Sequence, residues 1–326
     1  MIIDFISKMQ KQEQEVDLDY IYSVEKMRTG FGTDISECQN FDEILETSGT
    51  NWTVGKIPLF TGDGRQVEGA YAIQRDIDHR ILCPAVTGMY APFQQEQFRD
   101  IANGLMNQGA EPVLGGSFYG GKKVWYQFQM PDQEIMGDNH RHYLYLMNSH
   151  DTSGSVIIMT SLLRIACSNG INMLMKNAVS QWRYRHSGDL DVRVAEAKQA
   201  IMHANQYVEA YREAADTLQH QTVTGQEVND FIEQLFPFPK VAEGKELSDR
   251  QILTVAEKRA RMQEIIQNKD DLCMLGNTKF KLLQAAADYV SHPVFSKHGK
   301  NTEERYVETS MSGHPLLNRA YSLLVA

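Results

Sequence analysis

The sequence predicts an α+β fold, a mostly antiparallel sheet with packed helices followed by an α-helical C-terminal region. Three observations predict it. Between about residues 52 and 160, short runs rich in β-branched and aromatic residues are joined by short Gly-containing turns. A single helical pattern interrupts those runs. After about residue 188 the apolar spacing changes to three or four residues, with capping residues at regular intervals. The chain therefore divides into a polar leader with a short helix (1–50), an α+β core domain (51–188) and a helical region (189–326).

In chain order, FDEILETSG reads as a short helix ended by Gly49. The runs 52–60 and 66–75 read as strands around the hairpin turn TGDG, and 81–90 as a further short strand. In 92–109, Phe93, Phe98, Ile101 and Leu105 are spaced as on a helix that Gly109 stops. PVLGGSFYGGKKVWYQFQMP reads as two strands about a glycine-rich turn, and RHYLYLMNSHD and SVIIMT as two more. The segment SLLRIACSNGINMLMKN, 161–177, reads as a buried helix. Residues 189–221 form one long helix, with Asp189 or Asp191 as its cap. Thr224 caps a shorter helix that ends at Pro237, Ser248 caps another, and a fourth runs through NTKFKLLQAAADYVSH to Pro293. The segment VAEGKE between them reads as a mobile linker.

The formal charge of the 326 residues is −10. The sign reverses locally, since residues 111–193 hold 8 Lys/Arg against 7 Asp/Glu, and from Arg164 to His186 there are four cations and no carboxylate. Local sign decides where a polyanion docks. The four cysteines, Cys38, Cys83, Cys167 and Cys273, form no CxxC pair, which argues against a disulfide framework or a zinc ribbon and for reduced thiols in a cytoplasmic protein. No run approaches the ~18 apolar residues of a membrane helix. The N-terminal stretch carries Asp4 and has no basic leader, so it does not read as a secretory signal.

The candidate site is a basic–aromatic set: Lys122, Lys123, Trp125 and Tyr126 on the hairpin, then Arg141, Arg164, Lys176, Trp182, Arg183, Tyr184 and Arg185. Cations along the phosphates with flat side chains under the bases are what single-stranded nucleic acid requires. The plainer reading makes the tryptophans core and the cations a solvated rim. A second set, His140, His142, His150 and Asp151, has the chemistry to hold a metal and activate water, although NSHDTSGS also reads as a structural turn in which Asp151 and Ser153 bond local backbone and Gly154 supplies a positive φ. The turn GGSFYGGKK lacks the GxxxxGK[ST] spacing of a phosphate loop. Cys167, with Asn169 and Asn172 nearby, reads as a packed thiol.

The succession of NWTVGKIPLFTGDG, GGSFYGGKKVW, YLMNSHDTSGS and LRIACSNGIN, with GNTKFKLLQAAADYVSH and NRAYSLLVA at the end, resembles the phage/plasmid-like protein family, catalogued as a domain of unknown function, from about residue 27 to 326. Arg28-Thr29-Gly30-Phe31-Gly32 stands where that family has a Trp-His-Gly-Leu-Gly-like motif, so the histidine is lost. The resemblance implies a role in mobile-element DNA metabolism. At the level of fold it suggests a distant likeness to single-strand annealing recombinases of the Red-beta and RecT kind, small sheets that assemble into rings or filaments. The expectation is a non-enzymatic protein that binds single-stranded DNA in recombination or replication as a homo-oligomer, with no cofactor and no membrane partner. Alternatives are a metal-dependent phosphodiester- or nucleotide-processing enzyme around the histidines, and an interaction protein acting on host defence.

Overall fold

The structure, a computed structural model, describes residues 32–154, 156–164, 169–171, 181–184, 190–241, 246–291 and 314–326. The expected α+β architecture is present, with every strand pair antiparallel. A large sheet runs in the order β1 (Thr33–Asp34), β5 (Glu111–Phe118), β6 (Lys123–Ile135), β7 (Asp138–Ser149), β8 (Val156–Arg164), β10 (Gln181–Tyr184), and β9 (Asn169–Ile171) also pairs with β8. A small sheet holds β2 (Val54–Phe60), β3 (Gln66–Arg75) and β4 (Ile81–Thr87). Between the sheets in sequence, a 3-10 turn at Gln95–Phe98 leads into α2 (Arg99–Met106), and α1 (Phe41–Thr47) precedes β2.

The long meander is covered on both faces. From His142 to Ser149 every residue of β7 is buried, whatever its parity. One face carries Tyr126, Phe128, Leu144, Leu146 and Ile158 into a core shared with Phe41 of α1, Ile101 and Leu105 of α2, and Ile73 and Leu82 of the small sheet. The opposite face carries Trp125, Tyr143, Tyr145, Met147, Ile157 and Met159 into a second cluster. A strand buried on both sides reads as a continuous apolar run rather than as alternation. The structure corrects the helical reading of 161–177: β8 continues through Arg164 and β9 follows at Asn169–Ile171, while 165–168 and 172–180 lie outside the described residues.

The helical region follows its sequence signals closely. α3 (Leu190–Gln219) is one long helix. α4 (Gly225–Leu235) and α5 (Asp249–Asn268) start at Thr224 and Ser248, each with a reciprocal capping box to Glu227 and Gln251. A single turn, α6 (Asp270–Cys273), leads to α7 (Lys279–Ser291), which is buried around almost its whole circumference, and α8 (Pro315–Val325) packs beside it. The helices share their core with the sheet: Ile135 and Leu162 sit among Tyr207, Tyr211, Phe280 and Leu317. Most of the VAEGKE segment lies outside the described residues. Among the described residues no helix is long and apolar enough to cross a membrane.

Candidate nucleic-acid interface

The expected site divides when its residues are placed. Trp125 and Tyr126 are fully buried, which corrects their role as stacking platforms: neither ring is open to a base. Trp125 stacks on Phe118 at 5.6 Å, and the Cα of Gly32 lies so close to its indole that a Cβ there would stand 2.8 Å from a ring carbon. Tyr126 shares a 2.7 Å hydrogen bond with Thr50 and packs edge-on against Phe41. Alternation on a doubly buried strand sends both parities into a core, so an aromatic run there carries no signal of a binding face.

The cations separate along the strands. Lys123 pairs in register with Ser149, and Arg183 with Ile157, whose rung at Met147 is two residues further along β7. Arg141 pairs with Leu163, and Arg164 stands opposite both His140 and Asn169. From the Ser149 rung to Arg141 is eight residues of β7, about 26 Å at the usual strand rise. The set is therefore two groups at opposite ends of the sheet rather than one trough. Trp182, Arg183 and Tyr184 form β10, and Arg164 ends β8; only their backbone register is described, and Lys176 and Arg185 lie outside the described residues.

The histidine set separates too. His142 is buried, its Nε2 is 2.5 Å from Thr160 Oγ1, and burial pushes its pKa down to about 4. His140 stacks edge-on against Tyr211 at 5.9 Å. His150 lies eight residues further along the chain than His142, with its ring 5.3 Å from that of Trp52. Among the described residues no group of three or more His, Cys, Asp or Glu side chains comes within reach of one ion. The four residues thus do not form the metal centre that the enzymatic alternative requires.

What the fold does bring together lies at one end of both sheets, where three turns meet. The first is the β5–β6 tip, Tyr119 to Lys122. The second is the β3–β4 turn, Asp76 to Arg80. The third is the β7–β8 turn around His150 to Gly154. A Cβ on Gly120 would fall on the Arg80 guanidinium, and one on Gly121 would stand 2.5 Å from Arg75 Nη1 and 3.3 Å from Trp52 Cζ2. Both positions carry a positive φ, which favours glycine, and at Gly121 the held Arg75 and Trp52 side chains add close approach. Arg75 is fixed: Asp78 accepts from its Nε at 2.8 Å, its guanidinium lies 5.1 Å from the Trp52 ring centre, and this pairing holds the Asp78 carboxyl down to about 2. The His150 amide donates to the Lys122 carbonyl at 2.7 Å, which ties the third turn to the tip.

Of the four non-glycine residues with positive φ among the described residues, His79, Tyr119 and Thr152 occur one in each of these turns, and the fourth, Met136, lies in the β6–β7 turn at the other end of the sheet. In the third turn the left-handed residue is Thr152, not Gly154 as the sequence suggested; Gly154 instead packs against Ser149. The expected local bonding of Asp151 is present, from Ser149 Oγ at 2.7 Å and from the Ser153 amide at 3.0 Å. Burial works against its charge, but Ser153, Ser149 and the Lys123 ammonium outweigh it and hold the carboxyl below its ordinary range. Backbone of this kind costs about 1–3 kcal/mol per residue and collects at functional sites. Arg75 and Arg80 escaped the sequence reading because they lie about 40 residues before the tip they touch; the two glycine pairs were the available signal.

No curated protein and no solved structure matches this chain. One family model does, Domain of unknown function DUF932, over residues 84–311. That span takes in the end of β4, the meander, the β7–β8 turn and the helices through α7. It covers more than two thirds of the chain, so the protein belongs to the DUF932 family.

Proposed function

We propose that this protein binds DNA, single strands in particular, in the recombination or replication of phage- or plasmid-type elements, and does so as a homo-oligomer without catalysing a reaction. The observation that carries the reading is the gathering of Arg75, Arg80, Lys122 and Lys123 at one junction of a chain whose formal charge is −10. Three carboxylates share that junction, and each is engaged: Asp76 by Thr53, Asp78 by Arg75, Asp151 by Ser149 and Ser153. The mobile-element assignment rests on the resemblance of the NSHD and LRIACSNGIN segments to phage/plasmid-like proteins.

Because both faces of the meander are buried, the strand does not lie across the sheet in this reading. It contacts the turn-bearing rim, and its bases are left free to pair. Fluorescence anisotropy with a labelled oligothymidylate tests this. Binding at about 50 mM salt that weakens steeply with added salt is expected, because each neutralised phosphate releases counterions. Absence of binding at that salt overturns the reading. Light scattering on the same sample tests the oligomer against the 37.1 kDa of one chain.

A further inference from the structure

We propose a specific phosphodiester-binding site at the seam between the two sheets, in which Arg80 and Lys122 grip one backbone phosphate across the Gly120–Gly121 tip. The proposal rests on the DNA-binding reading above and deepens it by naming the group that is recognised and the residues that recognise it. Arg80 lies in a turn of the small sheet and Lys122 in a turn of the large one, so the site exists only where the two turns are packed together.

Three observations support it. Arg80 is exposed, lies against the Cα of Gly120, and makes no ion pair among the described residues. Asp78 feels the Arg80 charge but spends its two oxygens on Arg75 and on the Arg80 amide. Lys122 is half-buried and likewise makes no ion pair among the described residues, while its carbonyl is held by the His150 amide. The tip therefore presents a planar guanidinium, which the bare Cα of Gly120 lets lie close against the backbone, and the charge of Lys122 two residues on. A phosphate suits that pair, since the guanidinium fork binds its oxygens in two places and the ammonium adds charge.

Arg75 is a positioning residue in this arrangement. Locked by Asp78 and Trp52 and pressed on Gly121, it sets where the tip sits relative to Arg80. Its charge is already matched, so it adds little to the attraction itself. Lys123 lies 5.7 Å from the Tyr119 ring centre and beside Asp151, and so contributes less than Lys122.

The test measures anisotropy of the labelled oligothymidylate with full-length protein over a salt series. The variants are Arg80→Gln, Lys122→Gln and, as a matched loss of one charge on the helical half, Arg250→Gln. Arg80→Gln and Lys122→Gln are each expected to weaken binding about tenfold and to lower the salt slope by about one, and Arg250→Gln to leave both unchanged. An oligonucleotide with neutral methylphosphonate linkages is expected to bind the wild type and Arg80→Gln alike, because the phosphate charge is what the two residues read. Unchanged melting temperatures show that the variants fold. If the wild type binds and Arg80→Gln binds equally well with the same slope, the site is overturned while the DNA-binding reading stands. If the wild type does not bind, both fall. Competition by inorganic phosphate as effective as that of the polymer also overturns the proposal, by making the ligand a free anion.

Discussion

The two ends of the large sheet have opposite surroundings. At the His150 end, three turns meet in the open with charged side chains at their tips. At the His140 end the strands run under helices: His140 packs on Tyr211, which accepts from Gln284 of α7 at 2.8 Å, and Arg212 donates to the Glu134 carbonyl. Between these ends the faces are sealed. The comparison teaches that a sheet with both faces buried has only its strand ends left for a ligand, and among the described residues only the His150 end is free of helices. Residues of the mid-strands should then affect stability and not affinity, and residues of the open end the reverse.

The largest expected effect tests the first half of that statement. Trp125→Ala empties a site packed by Phe118 and by the backbone at Gly32, and should cost about 3–5 kcal/mol in urea unfolding. The oligothymidylate affinity of the fraction that stays folded should not change. A loss of affinity beyond the loss of folded protein would return Trp125 to the binding surface.

A somewhat smaller effect comes from the pH dependence of the same interior. His142 is neutral in the fold, with its pKa pushed from 6.5 to about 4 by burial. Between those values the unfolded chain binds a proton that the folded chain does not, so stability rises with pH. The contribution is complete above about pH 6.5 and is lost as pH falls toward 4, by roughly 3 kcal/mol. Urea midpoints at pH 7, 5.5 and 4.5 should show the decline, and His142→Asn should flatten it. Equal slopes in the two proteins would mean that the titration belongs to another group.

At the open end the effect on stability shrinks and the effect on binding grows. Gly121→Ala forces a left-handed conformation on alanine and pushes the Arg75 guanidinium away, at a cost of about 1–2 kcal/mol for the backbone. DNA affinity should fall severalfold although no charge is lost. If affinity is unchanged, Arg75 does not position the tip.

Much of this fold was legible in the residues. Thr224 and Ser248 announced their helices because a capping box is local chemistry, complete within four residues. The glycines of the hairpin tip marked a turn for the same reason. The β8 and β9 segment reads as a helix in the sequence because a short apolar run has no period that separates strand from helix. Helix α8 was not assigned at all, though Pro315 at its first turn and the His314 cap were available signs. Of the candidate site, Lys122 and Lys123 were legible as a basic tip. Their meeting with Arg75 and Arg80 was not, because packing between two sheets leaves no mark in the spacing along one chain. The same limit put Arg141 and Lys123 in one set, when a strand of extended backbone holds them at opposite ends.

The smallest effect probes the helical half, the region the comparison assigns to neither binding nor the sheet's faces. Thr224 accepts from the Glu227 amide and Glu227 returns a bond to the Thr224 amide at 2.8 Å, so the first turn of α4 has two of its free donors satisfied by the pair. Thr224→Ala should cost about 1 kcal/mol and leave DNA affinity and its salt slope as they were. Because α4 contributes Phe231, Ile232 and Leu235 to the core that also holds Ile135 and Leu162, the loss should appear in the global unfolding transition rather than as separate melting of the helices. A second, earlier transition in the variant would show that the helical region unfolds on its own. The sheet's closed end would then owe its burial to a cover that can be removed, and the contrast between the two ends would be conditional on it.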